Sequence, residues 1–475
     1  MLRRAALVCG LAILILYTYG LDRMGVYSAD EPRYASIGRA MARTGDIVTP
    51  HLWGDPWFEK PALLYWMIAA GYRLGLPDDL APRLPVALLS VAFLAAFFWI
   101  LRREFSNITA AYATAILATA AGWLAISEVA VTDLPMSAFF GLALLCTLPW
   151  LRTGDRRWLY VAAAALGTAF LAKSGPPIVL ALPILWFGRH RWRDLLHPVP
   201  ILIFLAIAAP WYIACYARNG PIFLRTLFLQ HQLERFVSPS LQHVQPWWFY
   251  IPILPLGLFP WTPVLAVIFR RSLYHDLRLR LLLAVVVFGF VFFSASLNKL
   301  PFYLLPLMPP LAVLMGVALE RSTPIFGRGM LILSAALCCL FPFLVKYLPW
   351  LMSRDRQAAA PAVSLILLAI IFLGMLAIAF TRRRPVAVAG VAALAALGYF
   401  WIKVQTVPFI DVAATARPLA PQVRDLGDIC AKYLPRDIHY GLNYYLDRSI
   451  PYCPGDAHGR TIVAYRDHRP LIVRP

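Results

Sequence analysis

Charge is scarce in this sequence. Only 14% of its 475 residues are charged, 60% are hydrophobic, and the mean hydropathy is +0.67. A soluble protein of this length needs far more polar surface, so the composition indicates a membrane protein. The formal net charge is +20. Because the basic residues lie mainly in short connections between apolar runs, the excess indicates membrane orientation and argues against nucleic-acid binding.

Several sequence motifs are also absent. The chain has no P-loop, GxGxxG, GxSxG or HExxH in a convincing context, which argues against a soluble nucleotide cofactor. Its seven cysteines include no CxxC pair of the kind that binds zinc. Five of them lie in apolar runs. Cys430 and Cys453 lie near the C-terminus. If that region is periplasmic, a disulfide and two free thiols are both open for this pair.

Apolar runs near the bilayer-spanning length recur from Leu7 almost to Val404. We predict an all-α polytopic membrane protein with about thirteen transmembrane helices. The predicted domains are a transmembrane domain, 1–404, and a small α/β periplasmic tail, 405–475. The predicted spans lie near 5–21, 84–101, 108–126, 132–151, 157–173, 176–188, 198–216, 249–269, 279–297, 302–319, 328–349, 361–380 and 385–404.

Arginines cluster in alternate connections between these spans. The positive-inside rule makes all of these connections cytoplasmic, so the N-terminus is predicted in the cytoplasm and the tail in the periplasm. The clustered residues are Arg3, Arg4, Arg102, Arg103, Arg152, Arg156, Arg157, Arg189, Arg191, Arg193, Arg270, Arg271, Arg278, Arg280, Arg321, Arg328, Arg382, Arg383 and Arg384.

One short apolar run does not fit as a span. Counting residues 62–76 as a crossing would invert every later connection, so we predict an interfacial helix in the first outer loop. In the tail, residues 416–433 have a helical pattern, while IHYGL (438–442) and TIVAY (461–465) are predicted strands.

The first outer loop carries charged residues directly after the first span. Asp30 and Glu31 stand in the segment SADEPRYA, with Arg33 two positions later. An aspartate at a membrane surface can act as a general base that takes a proton from an attacking hydroxyl. Alternatively, Asp30 caps the helix that begins near Pro32. Both roles can coexist, so Asp30 and Glu31 are our first candidate catalytic carboxylates.

Two other loop segments supply candidate ligands. In GDPWFEKP, Lys60 could hold a phosphate and Glu59 could order that lysine or bind a metal; the alternative is an exposed interfacial pair. In the loop 217–248, Arg235 could clamp an anionic head group. His231 of the same loop could ligate a metal or act as an acid or base, although lone loop histidines usually do neither.

Further ionisable residues stand where predicted spans meet the outer face. Asp133 begins the fourth span, Lys173 ends the fifth, and Lys299 lies between two later spans, with Tyr303 a turn beyond. Ionisable groups at these depths are costly unless they are solvated or paired, so each is a candidate site residue. For the lysines, snorkelling to the interface is the alternative.

Together these residues form a carboxylate pair among several cations, a pattern that fits a lipid phosphate as leaving group. At these residues the chain resembles the bacterial lipid A aminoarabinose transferases and the related protein O-mannosyltransferase-like glycosyltransferases. The resemblance covers roughly residues 1–320. It rests on the ordered set ADEPRYA, the GD-x-x-x-P run at 45–50, FEKP, TDLP, FLAKSG, ERF and KLPFYLLP.

The resemblance implies a polytopic C-type glycosyltransferase fold with an outer-face cavity and a polyprenyl-phosphate-linked sugar donor. It implies that Asp30 is the essential carboxylate and Asp133 the second aspartate of the reaction centre. The donor phosphate is then expected to contact Lys60, Arg235 and Tyr303, with Arg33 and Lys173 as supports. Lys299, from its place at the outer edge, is a further candidate phosphate ligand.

Two departures from the family pattern stand out. Family members can carry a divalent metal between the FEKP glutamate and a loop histidine. In this chain Gln232 falls at the histidine position and His231 is displaced by one, which puts a metal at Glu59 and His231 in question. The C-terminal tail is also shorter than that of a full aminoarabinose transferase.

The sequence therefore predicts an inner-membrane glycosyltransferase that moves a sugar from polyprenyl phosphate to a periplasmic acceptor, with inversion at the anomeric carbon. Lipid A or another envelope glycolipid is the leading acceptor, and a protein Ser/Thr hydroxyl is the enzymatic alternative. A non-enzymatic lipid-linked sugar flippase is the rival from another class. A flippase is expected to carry polar residues through the membrane midplane and broken helices in repeated halves, and the sequence shows neither.

Overall fold

The computed structural model of this chain describes residues 2–233, 244–353, 359–453, 461–466 and 469–473. Its main body is a bundle of helices around one large apolar core. Six of the described helices are long and apolar enough to cross a membrane. They are Leu84–Glu104, Asp133–Thr153, Pro198–Asn219, Leu277–Ala295, Pro301–Arg321 and Arg384–Gln405.

Three pairs of helices are long enough only when joined, and each pair bends sharply at its break. The pairs are Asn107–Ala118 with Ala121–Ser127 (63°), Trp247–Gly257 with Thr262–Phe269 (109°), and Pro324–Cys338 with Phe341–Met352 (53°). The sharpest bend, 109°, interrupts residues 249–269, which were predicted as one continuous span. Pro255, Pro260 and Pro263 lie around it, and proline lacks the N–H that continues a helix. The described chain therefore has six to nine candidate spans, and the count of thirteen stays a prediction.

The remaining described helices are shorter or less apolar. Two of them contain apolar stretches of intermediate length, Leu7–Thr18 and Leu365–Phe380. The full set is Leu2–Thr18, Asp30–Thr44, Leu63–Arg73, Arg156–Lys173, Gly175–Leu180, Leu182–Gly188, Arg189–Arg191, Trp192–Leu195, Pro221–Leu224, the π-helix Arg225–Leu233, Arg271–His275, Leu365–Phe380, Val407–Ala414, Ala420–Arg424 and Arg436–Leu446.

The first outer loop folds into two helices that pack against each other, Asp30–Thr44 and Leu63–Arg73. Their close approach depends on Gly38, because a Cβ there would lie 2.4 Å from Cγ2 of Ile68. At ~1.5 Å per residue, Leu63–Arg73 is about 16 Å long, half the thickness of the hydrocarbon core. The structure thus agrees with the prediction that 62–76 is not a span. A small antiparallel hairpin, His51–Leu52 with Asp55–Pro56, connects the two helices.

The C-terminal region has a small apolar core of its own. Its three-stranded sheet places Ile429–Lys432 parallel to Thr461–Arg466, which pairs antiparallel with Arg469–Val473. Cys430 and Cys453 form a disulfide, the alternative that the sequence left open. The strand predicted at TIVAY is confirmed.

Two other local predictions for the C-terminal region are wrong. IHYGL lies within the helix Arg436–Leu446, where Ile438 and Leu442 are buried one turn apart. The β-branched and aromatic residues misled the prediction, because tertiary packing outweighs weak strand propensity. The helix predicted over 416–433 is limited to Ala420–Arg424, and the strand Ile429–Lys432 follows it.

The two ends of the bundle carry different residues. The Glu104 carboxylate pairs with Arg152 and Arg278, joining the ends of three long helices. We call this the arginine end. Asp133 and Arg83 lie at the opposite ends of two of these helices, together with the first outer loop. We call that the site end.

Candidate active site

A cluster of two carboxylates and two cations lies at the start of the helix Asp30–Thr44. Asp30 is the first residue of this helix, and Arg33 lies one turn further along. The Arg33 guanidinium donates to Asp30 and, at 2.5 Å, to Oε2 of Glu59. Lys60 Nζ donates to the other Glu59 oxygen at 3.0 Å. The structure thus joins both charged motifs of the first outer loop in one cluster.

Asp30 is the most accessible carboxylate of this cluster. Its side chain is 30% exposed, against 5% for Arg33 and 4% for Glu59. Burial alone lowers the pKa of Arg33, but the neighbouring Glu59, Tyr34 and Asp30 raise it above its usual value. Arg33 therefore remains a cation, and a substrate that reaches Asp30 also meets its positive charge.

A second charged pair lies at the site end, between three helices. Lys173, the last residue of Arg156–Lys173, donates to Oδ1 of Asp133 at 2.5 Å. Asp133 is the first residue of its own helix, and only 4% of its side chain is exposed. The Lys173 ammonium lies 4.5 Å from the centre of the Tyr303 ring. Three predicted site residues from distant parts of the sequence therefore contact one another.

Glu31 is fully buried and bound on both oxygens. The Arg83 guanidinium donates to Oε1 and Oε2 of Glu31, each at 2.7 Å. The backbone N–H groups of Tyr27 and Ala130 donate to the same carboxylate at 2.7 and 3.0 Å. Glu31 therefore faces away from the Asp30–Arg33–Glu59–Lys60 cluster, although it follows Asp30 directly. This arrangement is typical of a structural ion pair.

Lys299 is buried in the connection that precedes Pro301. Its ammonium donates to the carbonyl oxygen of Gln245 at 2.9 Å and to that of Ser296. Burial lowers the pKa of Lys299. A bridge between Val244 and Asn298 runs alongside. Lys299 thus ties the end of the loop 217–248 to the neighbouring connection.

Two predicted ligands fall at the edge of the described structure. Arg235 lies outside the described residues. The backbone of His231 lies in the π-helix Arg225–Leu233, but its side chain is outside the described part of the structure. Among the residues that are described, no group of three or more His, Cys, Asp or Glu side chains could hold a metal ion. Glu59 already contacts two cations, which disfavours a third. The metal at Glu59 and His231 stays a prediction, and we derive no step through it.

A cavity of about 550 Å³ opens beside Glu59. One wall is the segment that carries the FEKP motif, and the other is the helical segment that leads toward Arg235. The cavity therefore lies between Glu59 of the charged cluster and the described part of the loop 217–248. Its lining residues are Pro56, Trp57, Phe58, Glu59, Asn219, Ile222, Thr226 and Gln230.

Three residues at or near the site end were not predicted. Arg83 was missed because an arginine beside a span usually marks orientation. Lys403 pairs with Glu128 at 2.5 Å, and its place as a lone lysine in the apolar segment YFWIKVQ was a usable signal. Tyr440 of the C-terminal region places its ring 5.6 Å from the Arg33 guanidinium. No local pattern could indicate this contact between residues so far apart in the sequence.

Comparison with known sequences finds that this chain is similar to sugar transferases. A family model described as dolichyl-phosphate-mannose-protein mannosyltransferase matches residues 59–213. The undecaprenyl phosphate-alpha-4-amino-4-deoxy-L-arabinose arabinosyl transferase of Pseudomonas paraeruginosa (strain DSM 24068 / PA7) is 32% identical over 351 residues. That match covers 70% of this chain but 63% of the relative, so the chain spans less than two thirds of that protein. The transferase of the same name from Edwardsiella ictaluri (strain 93-146) is 30% identical over 396 residues, covering 78% of this chain and 70% of the relative.

The fold is also similar to that of a solved structure. The crystal structure of ArnT from Cupriavidus metallidurans bound to undecaprenyl phosphate superimposes with a TM-score of 0.79 at 25% identity. The match covers 95% of this chain and 87% of that one. The similarity thus extends over the bundle and most of the C-terminal region.

Proposed function

Because the chain belongs to the undecaprenyl phosphate-alpha-4-amino-4-deoxy-L-arabinose arabinosyl transferase family, we propose that it transfers a sugar from a polyprenyl-phosphate donor to an acceptor of the bacterial envelope. The observation that carries this proposal is the charged cluster at Asp30. A partly exposed carboxylate there stands beside buried cations at one end of a membrane bundle. A base next to phosphate ligands is what a transfer from a lipid phosphate requires.

In the proposed reaction an acceptor oxygen attacks the anomeric carbon of the sugar. The new C–O bond forms as the bond from that carbon to the phosphate oxygen breaks, and polyprenyl phosphate leaves with the electron pair. When the acceptor is a hydroxyl, Asp30 takes its proton. A single displacement inverts the anomeric configuration. Arg33 holds Asp30 in place through the ion pair.

The leaving phosphate needs positive charge where its own negative charge develops. Lys60 supplies it on the Glu59 side of the cavity, and Arg33 supports it from the same cluster. Lys173 and Tyr303 supply the second group, with Asp133 orienting Lys173. Arg235 is proposed as a further ligand from the loop 217–248. The carbonyl contacts of Lys299 favour a role in holding that loop over a direct contact with phosphate.

We propose a location in the inner membrane with the site end in the periplasm. The arginine clusters then face the cytoplasm, as the positive-inside rule requires. The disulfide between Cys430 and Cys453 supports the same orientation, because disulfides persist in the periplasm and are rare in the cytoplasm. The region 1–404 is then the membrane domain, and 405–475 the periplasmic tail.

The proposed donor sugar is 4-amino-4-deoxy-L-arabinose, after the names of the relatives, and the proposed acceptor is lipid A. Both can be tested with the purified protein, a panel of undecaprenyl-phosphate sugars, and lipid A or a Ser/Thr-rich peptide as acceptor. We expect one sugar to move to lipid A. Transfer to the peptide instead would identify a protein O-glycosyltransferase.

The role of Asp30 is tested in the same assay with Asp30→Asn. We expect turnover to fall about 1,000-fold, because the base is lost while the shape is kept. Asp22→Asn, an exposed aspartate in the same loop, is the matched control and should keep wild-type turnover. Lipid binding without turnover on any acceptor, unaffected by Asp30→Asn, would indicate a lipid-linked sugar flippase.

A further inference from the structure

Arg83 is a buried arginine that binds the first outer loop at the site end. It precedes the long helix Leu84–Glu104 and is 1% exposed. Its guanidinium donates to the carbonyl oxygens of Leu21 at 2.8 Å, Gly25 at 2.7 Å, and Met24. The remaining N–H groups donate to the two oxygens of Glu31. All five guanidinium donors therefore have an acceptor.

Glu31 extends this network to a second loop. It accepts from the backbone N–H of Tyr27, in the connection that leads to Asp30, and from that of Ala130. Ala130 lies three residues before Asp133, in the connection that opens the helix Asp133–Thr153. The Glu31–Arg83 ion pair thus contacts the backbone of both segments that lead to the proposed catalytic aspartates, Asp30 and Asp133.

We propose that Glu31 and Arg83 are positioning residues that hold Asp30 and Asp133 at a fixed separation, an inference that rests on the proposed transferase function. Glu31 is joined to Asp30 by one peptide bond, and its hydrogen bond fixes the segment from Ala130 to Asp133. When the pair is broken, the two segments lose the anchor that Glu31 provides between them. A displacement of about 1 Å at reacting groups can lower a rate about 100-fold.

A direct catalytic role for Glu31 is the competing interpretation. Its carboxylate is 0% exposed, and four donors surround it. An acceptor hydroxyl would have to displace the Arg83 guanidinium or a backbone N–H to reach it. Asp30, with 30% of its side chain exposed, needs no such displacement. The burial of Glu31 therefore favours positioning over proton transfer.

The test compares Glu31→Gln and Arg83→Gln with a matched control at the other end of the same helix. Glu104 is also a buried glutamate, with 3% of its side chain exposed, and it pairs with Arg152 and Arg278. With undecaprenyl-phosphate sugar as donor, we expect both site-end variants to lower kcat about 100-fold while the donor KM changes by less than about threefold. Glu104→Gln should leave kcat near the wild-type value.

The effects of Glu31→Gln and Arg83→Gln on kcat should also be non-additive. Because either one breaks the same pair, the double variant Glu31→Gln/Arg83→Gln should be no slower than the slower single variant. Loss of activity in Glu31→Gln with near-normal kcat in Arg83→Gln would make Glu31 a direct participant and overturn the proposal. Near-normal kcat in both variants would overturn it as well.

A second measurement does not depend on turnover. Amide hydrogen exchange of the purified protein should show faster exchange in peptides covering 22–29 and 128–132 for Arg83→Gln and Glu31→Ala, but not for Glu104→Gln. Unchanged exchange in these peptides would overturn the positioning role. If the wild type turns over no donor while exchange rises as expected, the proposed function fails and the anchoring of both loops stands.

Discussion

The helix Leu84–Glu104 has a buried glutamate paired with arginine at each end, and the two ion pairs differ in burial and in what else they bind. At the site end, Arg83 and Glu31 are both fully buried and hold backbone groups of two loops. At the arginine end, Glu104 is buried but its partners Arg152 and Arg278 are 49% and 18% exposed. An arginine–glutamate ion pair therefore fixes the geometry of two loops at the site end. At the arginine end it links the ends of helices at a partly exposed surface.

The helix Arg384–Gln405 shows the same difference between its ends. Arg384 donates to the carbonyl oxygens of Leu319, Glu320 and Ser322, the last turn of a neighbouring helix. Lys403, near the other end, pairs with Glu128. Lys403 also donates to the carbonyl oxygens of Leu16 and Tyr19, so the two ends differ in the ion pair. Removing Lys403 leaves the Glu128 carboxylate without its cation, whereas removing Arg384 breaks hydrogen bonds to carbonyl oxygens. Substitutions at the site end should therefore have larger effects.

The largest expected effect is on stability, at Lys403. Lys403→Met leaves Glu128 without its cation, and we expect the free energy of unfolding to fall by about 3 kcal/mol. The matched change at the other end, Arg384→Met, should cost about 1 kcal/mol. Thermal unfolding in detergent measures both. The double variant Lys403→Met/Glu128→Gln should recover most of the loss; equal costs for the two single variants would contradict the comparison.

The next effect is catalytic, at Asp133. Asp133→Asn removes the partner that orients Lys173, and we expect kcat/KM for the donor to fall about 100-fold. Asp194→Asn is the control at the arginine end, because Asp194 pairs with Arg156 at 2.6 Å and is similarly buried. It should keep wild-type kcat/KM. A similar loss in both variants would indicate general destabilisation instead of a role in the site.

The smallest effect is expected from the C-terminal region. The Tyr440 ring lies 5.6 Å from the Arg33 guanidinium and 5.3 Å from the Trp53 ring. Tyr440→Ala removes the cation–π contact with Arg33 at the site, so turnover should fall about two- to fivefold. Tyr433→Ala, at a side chain that is 81% exposed, serves as the control. Full activity of Tyr440→Ala would separate the C-terminal region from the chemistry of the site.

The sequence offered one of the site contacts, the ordering of Lys60 by Glu59, and the structure pairs these two residues. It did not indicate that Arg33 joins Asp30 to Glu59. The burial of Glu31 could not be predicted, because two adjacent acidic residues look alike until a helix points them in different directions. Its partner Arg83 lies 52 residues away.

The C-terminal region was predicted less well than the membrane spans. A span of some twenty apolar residues has a strong physical requirement, since every backbone group must be satisfied within the segment. The tail segments are short and amphipathic, and their conformation depends on packing. IHYGL therefore became a helix with Ile438 and Leu442 on its buried face.

The sequence by itself determined the class of protein and the positions of most long helices, and it predicted the end at which the candidate site residues gather. Hydrophobic run length and the side of the membrane that retains arginine are local properties, so they can be read along the chain. The tertiary structure alone decided which ionisable groups meet. Asp133 and Lys173 pair across 40 residues, and Glu128 and Lys403 pair from opposite halves of the chain. Those contacts depend on how helices pack, because only packing brings the ends of distant segments within hydrogen-bond distance.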